Sequence, residues 1–465
     1  MSLLSTIRSA AAGLRAASLG IEVTSHNVAN ASTEGYTRKS IRQTTTTPVK
    51  QKGNVWLGMG PEIDNITRAS DQFLGLQRTT AAGDDSASTA LYESLSILEA
   101  SFSEDTANTL PDLLSAFYDS LATLSTNPAE AAYRTATVAA GEKLTYAVNA
   151  TATSLSSAVD NTNSEIDAIV SGDVNTLLGR LSELNALAVA AHSTENAGAT
   201  DTLDERDFVV TELAEKIGAK VEYVGDGTVN LFVGGHSIVS GDNARTIEFE
   251  LDAITGAPKI RMSVDSGYIN VIDEIGGRVG GLLESHAYST EWLDDLNTFV
   301  GTFSDEFNNQ HALGYDQSGA FGGDLFLYTG GAEAATFSID DAFMDDPSLL
   351  ALAGSPTGGA GDQDNLRELL NLQDNQTYGT TNQTAEAFLS SLYSSVGQAV
   401  VSAETKAERD SVTLGDLEAL QDSLTSVSLD EEATSLIAYQ AAYQAAAKVL
   451  SAADEMLAVL MDLAR

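Results

Sequence analysis

The side chains best suited to bind a metal or to carry a proton are five histidines: His26, His192, His236, His286 and His311. A zinc site on a helix needs two histidines four residues apart, as in HExxH, and these five do not show that spacing. The sequence also has no cysteine, which excludes disulfides, thiolate nucleophiles and cysteine-ligated metals. We therefore predict no metal site.

Motifs of nucleophilic and phosphate chemistry are also missing from the sequence: it has no GxSxG elbow, no GxxxxGKS or GxxxxGKT loop, and no GxGxxG after a strand. Gly276-Gly277 and Gly280-Gly281 predict a turn or close packing before a helix. The acidic groups at Asp84-Asp85, Asp345-Asp346 and 362–364 do not match a calcium loop, so we interpret them as solvated carboxylates. We expect no enzyme, no catalytic residue and no cofactor.

A more specific pattern closes the first predicted helix, over Asn27–Arg38 (NVANASTEGYTR). Asn27 and Asn30 can end a helix by bonding to backbone groups, and Gly35 permits a positive φ. Tyr36 can anchor a chain that reverses direction. The alternative is an ordinary helix C-cap and turn, and physical chemistry alone leaves both open.

The charge of the chain is strongly negative. Its 465 residues carry 66 acidic and 24 basic side chains, a net charge of −42. The length allows two or three domains, and 43% hydrophobic residues suffice for a large core. Such acidity argues against binding to nucleic acid or to an anionic membrane. Residues 1–52 are the exception, with seven basic side chains against two acidic, so we expect a different partner for this segment.

The amino-terminal segment resembles a signal peptide only superficially. It is apolar and basic, but Arg8 and Arg15 interrupt the hydrophobic region that a signal peptide needs. No stretch of the sequence reaches the ~18 consecutive apolar residues of a membrane helix. We expect a cytoplasmic protein or one that leaves the cell without a cleaved signal.

Both ends of the chain predict long helices with an apolar stripe, and these helices must position the segment Asn27–Arg38. At the amino end, the stripe positions are Leu4, Ile7, Ala11, Leu14, Ser18, Ile21, Ser25 and Val28. At the carboxyl end, they are Leu436, Tyr439, Tyr443, Ala446, Leu450, Ala453, Leu457, Leu460 and Ala464. The spacing of three and four residues is typical of a coiled coil. Because one helix is basic and the other acidic, we expect them to pair. The alternative is that each packs separately on a globular body.

Between the ends, strand and helix patterns alternate. Residues 39–69 predict extended chain and short strands, and residues 220–264 predict two hairpins, turning at 225–227 and 256–258. Helices are predicted over 84–195, with breaks near Pro111, 127–128 and 171–172, and over 203–218, 277–311, 364–374 and 384–425. Residues 314–361 predict a small loop-rich insertion.

The fold expected from these patterns is mainly α with β, in a rod-like, nested architecture. Residues 1–40 and 426–465 would form a domain of paired coiled-coil helices. Residues 41–313 and 362–425 would form a helical-bundle rod domain with β-hairpins near 220–264. Residues 314–361 would form a short outer insertion.

The segment Asn27–Arg38 resembles the N-x-A-N-x-x-T-x-G-Y-x-R signature of bacterial flagellar axial proteins, which include rod, hook and hook-associated proteins. The closing segments 429–433 and 439–449 resemble the family of flagellar hook-associated protein 1. Further similarities lie, in order, at 58–61, Ile66, Arg68, 71–74, 126–128, 203–207, 226–229, 280–284 and 308–311. The insertion at 314–361 departs from this family, since it is shorter than the usual outer domain.

The resemblance implies a structural junction protein, secreted without a cleaved signal through the flagellar type III export channel. It would be extracellular and would form a ring at the distal end of the hook, connecting hook and filament. The implied partners are other copies of itself, hook protein and a second junction protein leading to flagellin. An export chaperone would hold the carboxy-terminal helix. From the acidity of the chain we expect no nucleic-acid partner and no membrane partner.

We expect an assembly interface on the two terminal helices and the signature segment. The candidate residues are Leu4, Ile7, Leu14, Ile21, Asn27, Asn30, Gly35, Tyr36, Leu436, Tyr439, Tyr443, Leu450, Leu457 and Leu460. One alternative is another axial protein of the hook or rod, which shares the first signature. A further alternative is a secreted enzyme or adhesin on flagellar-type termini.

Overall fold

The computed structural model describes residues 3–51, 55–58, 60–103, 109–194, 199–225, 227–380 and 382–463. Helices dominate the described chain. The α-helices are Leu3–Ala29 (α1), Gln72–Ser103 (α2), Leu110–Thr126 (α3), Ala131–Asp167 (α4), Asn175–Thr194 (α5), Ala199–Ile217 (α6), Gly277–His311 (α7), Asp341–Asp345 (α8), Asp364–Asn371 (α9), Ala385–Thr425 (α10) and Leu429–Leu463 (α11). A π-helical segment, Ala168–Val174, stands at the predicted break near 171–172.

The strands form small antiparallel sheets, so the predicted mainly α class with β-hairpins is confirmed. They are Lys39–Thr45 (β1), Val49–Gln51 (β2), Val55–Leu57 (β3), Pro61–Arg68 (β4), Lys220–Tyr223 (β5), Val229–Val233 (β6), His236–Ser240 (β7), Asn243–Ala244 (β8), Ile247–Leu251 (β9), Pro258–Val264 (β10), Gly267–Asn270 (β11), Phe326–Leu327 (β12) and Ser338–Ile339 (β13). The sheet orders are β1-β4, β2-β3, β5-β6-β7-β8, β11-β10-β9 and β12-β13. Both predicted hairpins are present, as β5-β6 and β9-β10; turn residue 226 lies outside the described residues.

Local side chains set the helix boundaries that the sequence predicts. Thr109 and Asp112 form a capping box at the start of α3, with Pro111 inside the first turn. The helix ends at Thr126, before Pro128, because proline cannot continue the backbone hydrogen-bond ladder. The buried guanidinium of Arg134 then donates to the Pro128 and Leu350 carbonyl oxygens, each at 2.8 Å.

The chain divides into two compact units, each assembled from segments far apart in sequence. One contains Met1–Ser86, Ile169–Gly277 and Asp410–Arg465; the other contains Ala87–Ala168 and Arg278–Arg409. This grouping differs from the predicted terminal, rod and insertion domains. The predicted boundaries, the coiled-coil winding and the rod-like outline stay predictions.

The second unit is built on a cluster of aromatic rings. Phe117 of α3 meets Phe303 and Phe307 of α7 at ring-centroid distances of 6.2 and 5.5 Å. Phe326 of the 314–361 insertion lies 5.0 Å from Phe303. Phe326, Phe337 and Phe343 are buried in this same core. The insertion therefore packs into the core of the second unit, and its role as an outer domain stays a prediction.

The 308–311 segment ties α7 to this insertion. Asn308 accepts from the backbone N–H groups of Leu325 and Phe326 and donates to the Phe326 carbonyl oxygen. His311 Nδ1 lies 2.6 Å from Gly323 O, and Ala351 N–H donates to Nε2 at 2.9 Å. These partners fix the proton on Nδ1, and burial lowers the pKa of His311.

Helix-borne asparagines join the sheets to the helices in the first unit as well. Asn185 of α5 donates to the carbonyl oxygen of Val229 and accepts from its N–H, at 2.9 and 3.0 Å. Asn175 makes the same two bonds to Ile247, at 2.8 and 3.0 Å. Each carboxamide thus pairs with the first residue of a strand as a neighbouring strand would.

Candidate functional site

The two terminal helices pair along their lengths, as the sequence predicts. The pairing is antiparallel, since Gly13 approaches Ala446, Gly20 approaches Tyr439 and Asn27 bonds to Glu432. Successive contacts in this series are seven residues apart on both helices. A methyl group on Gly20 would lie 2.6 Å from Tyr439 Cδ1, so the tyrosine ring packs on bare backbone.

The closest face of α1 differs from the predicted stripe. Its buried residues are Ala10, Ala16, Ala17, Gly20, Val23, Thr24 and Asn27. Gly13, Gly20 and Asn27 each precede by one position a stripe residue that was expected at the centre of contact. Small residues let two backbones approach closely, which moves the bulky side chains to the flanks of the contact. On α11 three of the predicted stripe positions lie toward α1 or are buried: Tyr439 and Ala446 face α1, and Ala453 is fully buried.

The predicted interface residues fall into three groups by exposure. The buried residue is Asn27, and the half-buried ones are Ile7, Leu14, Ile21, Asn30, Tyr36, Leu436, Tyr439 and Leu450. The exposed ones are Leu4, Gly35, Tyr443, Leu457 and Leu460. Their role in assembly stays a prediction.

The last turns of α11 carry a cluster of exposed apolar side chains. Large apolar residues here expose between 38% and 66% of their surface: Met456, Leu457, Val459, Leu460 and Met461. Ile437 and Tyr443 are also exposed nearer the start of the helix. An apolar cluster of this kind on a polar chain is typical of a surface that binds another protein.

Where α1 ends, a group of buried and half-buried polar side chains connects it to α11 and α6. We name Asn27, Tyr36, Arg38, Lys39, Asp204 and Glu432 the polar cluster. Asn27 is only 1% exposed. Its amide donates to the Lys39 carbonyl oxygen at 2.9 Å and to Glu432 Oε2 at 3.1 Å. Its oxygen accepts from Lys39 N–H at 3.0 Å and from the Tyr36 hydroxyl at 2.8 Å.

The segment between Asn27 and Lys39 folds as a tight reversal. Asn30 Nδ2 donates to the His26 carbonyl oxygen at 3.0 Å and so closes the helix. Gly35 has a φ of +74°, and a methyl group there would lie 3.3 Å from the Phe208 ring. Burial, with Asp204 and Glu432 nearby, raises the pKa of Tyr36 to about 12, so its hydroxyl keeps the proton that it donates to Asn27.

Basic side chains of this reversal pair with acidic side chains of α11 and α6. Arg38 Nε donates to Glu432 Oε1 at 2.7 Å, and Arg38 NH1 donates to Glu431 at 2.9 Å. The Thr37 hydroxyl donates to Asp204 at 2.6 Å. Lys39, 5% exposed, pairs with Asp201 and lies 3.8 Å from Asp204. Its burial lowers the pKa of Lys39, an effect that Asp204 opposes.

Further ion pairs connect this cluster to α6. Arg68 of β4 pairs with Asp204 at 3.0 Å and Asp207 at 2.5 Å. Arg206 also pairs with Asp207, at 2.7 Å. Buried charges are tolerated only when paired in this way.

Lys39, Asp204 and Glu432 were not predicted as site residues from the sequence, although Asp204 and Glu432 lie in the segments 203–207 and 429–433 that resemble the family, and Arg38 lies in the signature. The opposite charges of α1 and α11 also predict an attraction between these two helices. Among the described residues, the ion pairs between the amino-terminal segment and α11 are those of Arg38, beyond the end of α1. The signature could have indicated these ion pairs, because its last residue, Arg38, is an arginine.

Among the histidines whose side chains are described, His26 contacts this site, with its Nδ1 3.0 Å from the Tyr36 hydroxyl. The side chain of His192 lies outside the described residues. Asp346 in the insertion and Asp362 directly after it accept backbone N–H groups in turns. In the described ranges, no three His, Asp or Glu side chains are grouped to hold a metal ion. Nor does any helix in these ranges have the length and apolarity needed to span a bilayer.

Three family models match the chain. Residues 95–326 match the flagellar hook-associated protein FlgK helical domain. Residues 7–37 match a flagella basal body rod protein model, and residues 424–463 match the flagellar basal body rod FlgEFG protein C-terminal model. The two shorter matches fall on α1 with its reversal and on α11.

Whole-chain similarity leads to the same group of proteins. The chain is 28% identical to flagellar hook-associated protein 1 of Bacillus subtilis, over 97% of this chain and 96% of that one. It is 24% identical to the Escherichia coli protein of the same name, over 99% and 100%. The structure of the flagellar hook junction protein FlgK from Burkholderia pseudomallei superposes with a TM-score of 0.61 at 13% identity, covering 77% of this chain and 100% of that chain. At that identity the superposition shows a shared fold.

Proposed function

Since this chain belongs to the flagellar hook-associated protein 1 family, we propose that it is a structural junction subunit of the bacterial flagellum, placed between hook and filament. It acts outside the cell as a building block and not as an enzyme. The observation that carries the proposal is the pair α1–α11 with its exposed apolar cluster at 456–461. A solitary chain leaves this cluster in water, whereas an assembled one buries it.

In the assembled state, the terminal helices contact other copies of the chain in a ring. Hook protein lies on one side, and a second junction protein leading to flagellin lies on the other. Before assembly, an export chaperone covers the carboxy-terminal helix. Each partner would remove apolar surface of α11 from water, so the same residues serve export and assembly in turn.

Deletion of the gene tests the function in the cell. We expect loss of filaments, intact hooks, and flagellin released into the medium, because filament subunits would have no platform to add to. Loss of the hooks as well would instead favour a hook or rod protein. Normal filaments would contradict the proposal and favour an accessory enzyme or adhesin.

Leu457→Asp tests the surface itself. Leu457 is 38% exposed on α11, so an aspartate there is solvated in the free chain but places a charge in an assembled apolar contact. We expect an unchanged melting temperature and loss of filaments in a complementation assay. Ile254→Asp is the matched control, because Ile254 is 95% exposed and lies in the β9–β10 turn, not on a terminal helix. Full filaments with Leu457→Asp would refute the role of this face.

A further inference from the structure

A polar cleft of about 430 Å³ opens beside β7, β8 and β10 in the first unit. None of the residues that line it lies on a terminal helix. The cleft is therefore separate from the assembly surface proposed above. Its polar side chains are those of Ser237, Ser240, Asn243, Arg245, Ser263 and Asp265.

The segment between β8 and β9 holds Arg245 at the wall of this cleft. Arg245 N–H donates to the Ile238 carbonyl oxygen of β7 at 2.9 Å. The carbonyl oxygen of the next residue, Thr246, accepts from Ser263 N–H of β10 at 2.9 Å, and Thr246 N–H donates to the Ser263 hydroxyl at 3.0 Å. These bonds join the segment to both sheets, so the backbone that carries Arg245 is fixed before any ligand enters.

The guanidinium of Arg245 differs from the other partly buried basic groups. Arg245 is half-buried, and its side chain has no ion pair or hydrogen bond among the residues that the structure describes. A guanidinium withdrawn from water without an acceptor is unfavourable, so Arg245 is suited to bind a group from outside the chain. Within the same described residues, each other lysine or arginine that is buried or half-buried has a side-chain partner. They are Arg38, Lys39, Arg68, Arg78, Arg134, Arg206, Lys216, Lys259, Arg261 and Arg278.

The chemistry of the cleft favours a carboxylate. A guanidinium offers paired N–H donors that match the two oxygens of a carboxylate. The Ser263 hydroxyl accepts from Thr246 N–H and from the Thr246 hydroxyl, at 3.0 and 3.1 Å, so its own hydrogen is available to a ligand. Asp265 is exposed and is the one acidic side chain among the lining residues. Because Asp265 repels a carboxylate and attracts a base, the two charged residues of the cleft predict opposite effects on binding.

We propose that this cleft binds an aspartate or glutamate side chain of a second copy of the chain, with Arg245 as the residue that recognises it. The inference rests on the proposed function, because assembly is what brings a second copy to the cleft. Each copy carries 66 acidic against 24 basic side chains, so carboxylates are the commonest charged groups that a neighbour can offer. Copies with a net charge of −42 also repel one another, and an attractive pair at a defined place sets which surfaces meet.

Photo-cross-linking in assembled flagella tests the occupant. Ser240, which is exposed at the cleft, is replaced by p-benzoylphenylalanine in the full-length chain, and isolated flagella are irradiated. We expect a cross-linked dimer of this chain, with mass spectrometry placing the attachment in a segment that contains Asp or Glu. A cross-link to another protein, a dimer joined at a segment without an acidic residue, or no cross-link would overturn the inference.

Exchange of charge across the contact tests the pairing itself. Arg245→Glu should remove most filaments, because like charges that face each other disfavour an interface. Lysine in place of the cross-linked acidic residue should restore filaments in that background, since compensation of this kind requires two groups in contact. Lys220→Glu is the matched control and should leave filaments unchanged, because Lys220 is an exposed base on β5, at the opposite edge of the same sheet. Equal losses in Arg245→Glu and Lys220→Glu, or no restoration by the second substitution, would contradict the pairing.

Neutral substitutions show the sign of the ligand charge. Arg245→Gln should lower the number of filaments, whereas Asp265→Asn should leave it unchanged or raise it. The reverse pattern would mean that Asp265 binds a base, which would overturn the inference. The purified Arg245→Gln chain should keep the wild-type melting temperature, because the Arg245 side chain has no partner to lose within the described residues.

Failure of this inference is distinguishable from failure of the proposed function. Flagella that contain the chain but lack the expected cross-link would refute the role of the cleft alone. Flagella that lack the chain would refute the proposed function and the inference together.

Discussion

At the scale of single residues, asparagine has a repeated task in this protein. Four carboxamides each bond to both backbone groups of the first residue of a strand. The pairs are Asn27 with Lys39, Asn175 with Ile247, Asn185 with Val229, and Asn308 with Phe326. A carboxamide presents a donor and an acceptor side by side, as an extended backbone does. A leucine or an ionised aspartate side chain has a similar size but cannot offer both a donor and an acceptor.

Asn185→Asp tests this role of asparagine. The variant keeps the acceptor for Val229 N–H but turns the donor facing the carbonyl oxygens of Val229 and Gly241 into a second acceptor. We expect a loss of about 1–3 kcal/mol in the free energy of unfolding, measured by urea denaturation. Asn371→Asp, at an exposed helix end, is the control and should change it by less than about 0.5 kcal/mol. Equal losses in both variants would contradict the assignment.

At the scale of elements, the pairing of α1 with α11 depends on small residues at regular intervals. Gly20 and Gly13 lie on the same face of α1 but meet different neighbours. A methyl group on Gly20 would lie 2.6 Å from Tyr439 Cδ1, whereas on Gly13 it would lie 3.9 Å from Ala446 Cβ. The first approach is a steric overlap and the second is an ordinary contact.

Alanine at the two glycines should therefore have opposite effects. Gly13→Ala should stabilise the chain by about 0.5–1 kcal/mol, because alanine has the higher helix propensity. In Gly20→Ala the same gain is opposed by overpacking against the Tyr439 ring, which costs about 1–3 kcal/mol and leaves a net loss. Urea denaturation and hydrogen exchange of the α1 amides measure the change in stability for both variants. If Gly20→Ala stabilised the chain as much as Gly13→Ala, the close approach at Tyr439 would be wrong.

The contrast between Gly20 and Glu432 shows how far sequence reasoning extends. Hydrophobic periodicity predicts both terminal helices and their pairing, because burial of apolar side chains drives that contact. The same periodicity predicts that Leu14 and Ile21 lie at the centre of the contact between the two helices. In the structure the neighbouring glycines, Gly13 and Gly20, lie there, because small residues let the helices approach closely. From the sequence alone, Glu432 in the first turn of α11 would be interpreted as a solvated acid at the start of a helix. Its burial depends on Asn27 and Arg38, which are distant in sequence, and no local pattern encodes that.

At the scale of the whole molecule, the net charge of −42 acts against the compact state. This repulsion contributes to the raised pKa of individual carboxyl groups. Burial and then the charges of Asp410 and Glu418 raise the pKa of Asp85. Burial and then Glu291 and Asp294 raise the pKa of Asp295. Folding brings Asp85 close to Asp410 and Glu418, which are far from it along the chain.

Salt should therefore stabilise the protein, although screening also weakens its exposed ion pairs. From about 0.01 M to 0.15 M NaCl the Debye length falls from about 30 Å to 8 Å, so repulsion between distant carboxylates is reduced first. We expect the melting temperature to rise by several degrees, at about 2–4 °C for each 1 kcal/mol of stabilisation. Differential scanning calorimetry measures it. Screening predicts that most of the rise occurs below about 0.15 M. A melting temperature that falls with salt would show that attractive pairs dominate.

The antiparallel register of α1 and α11 has a practical consequence for labelling. With Gly13 level with Ala446 and Gly20 level with Tyr439, Leu3 at the start of α1 lies level with Met456. A fluorophore or affinity tag attached at the start of α1 or at the end of α11 would therefore lie beside the apolar residues 456–461 and compete with whatever binds there. The β9–β10 turn at Ile254 is exposed and lies outside this pair, which makes it the better position for a reporter that leaves the helix ends free.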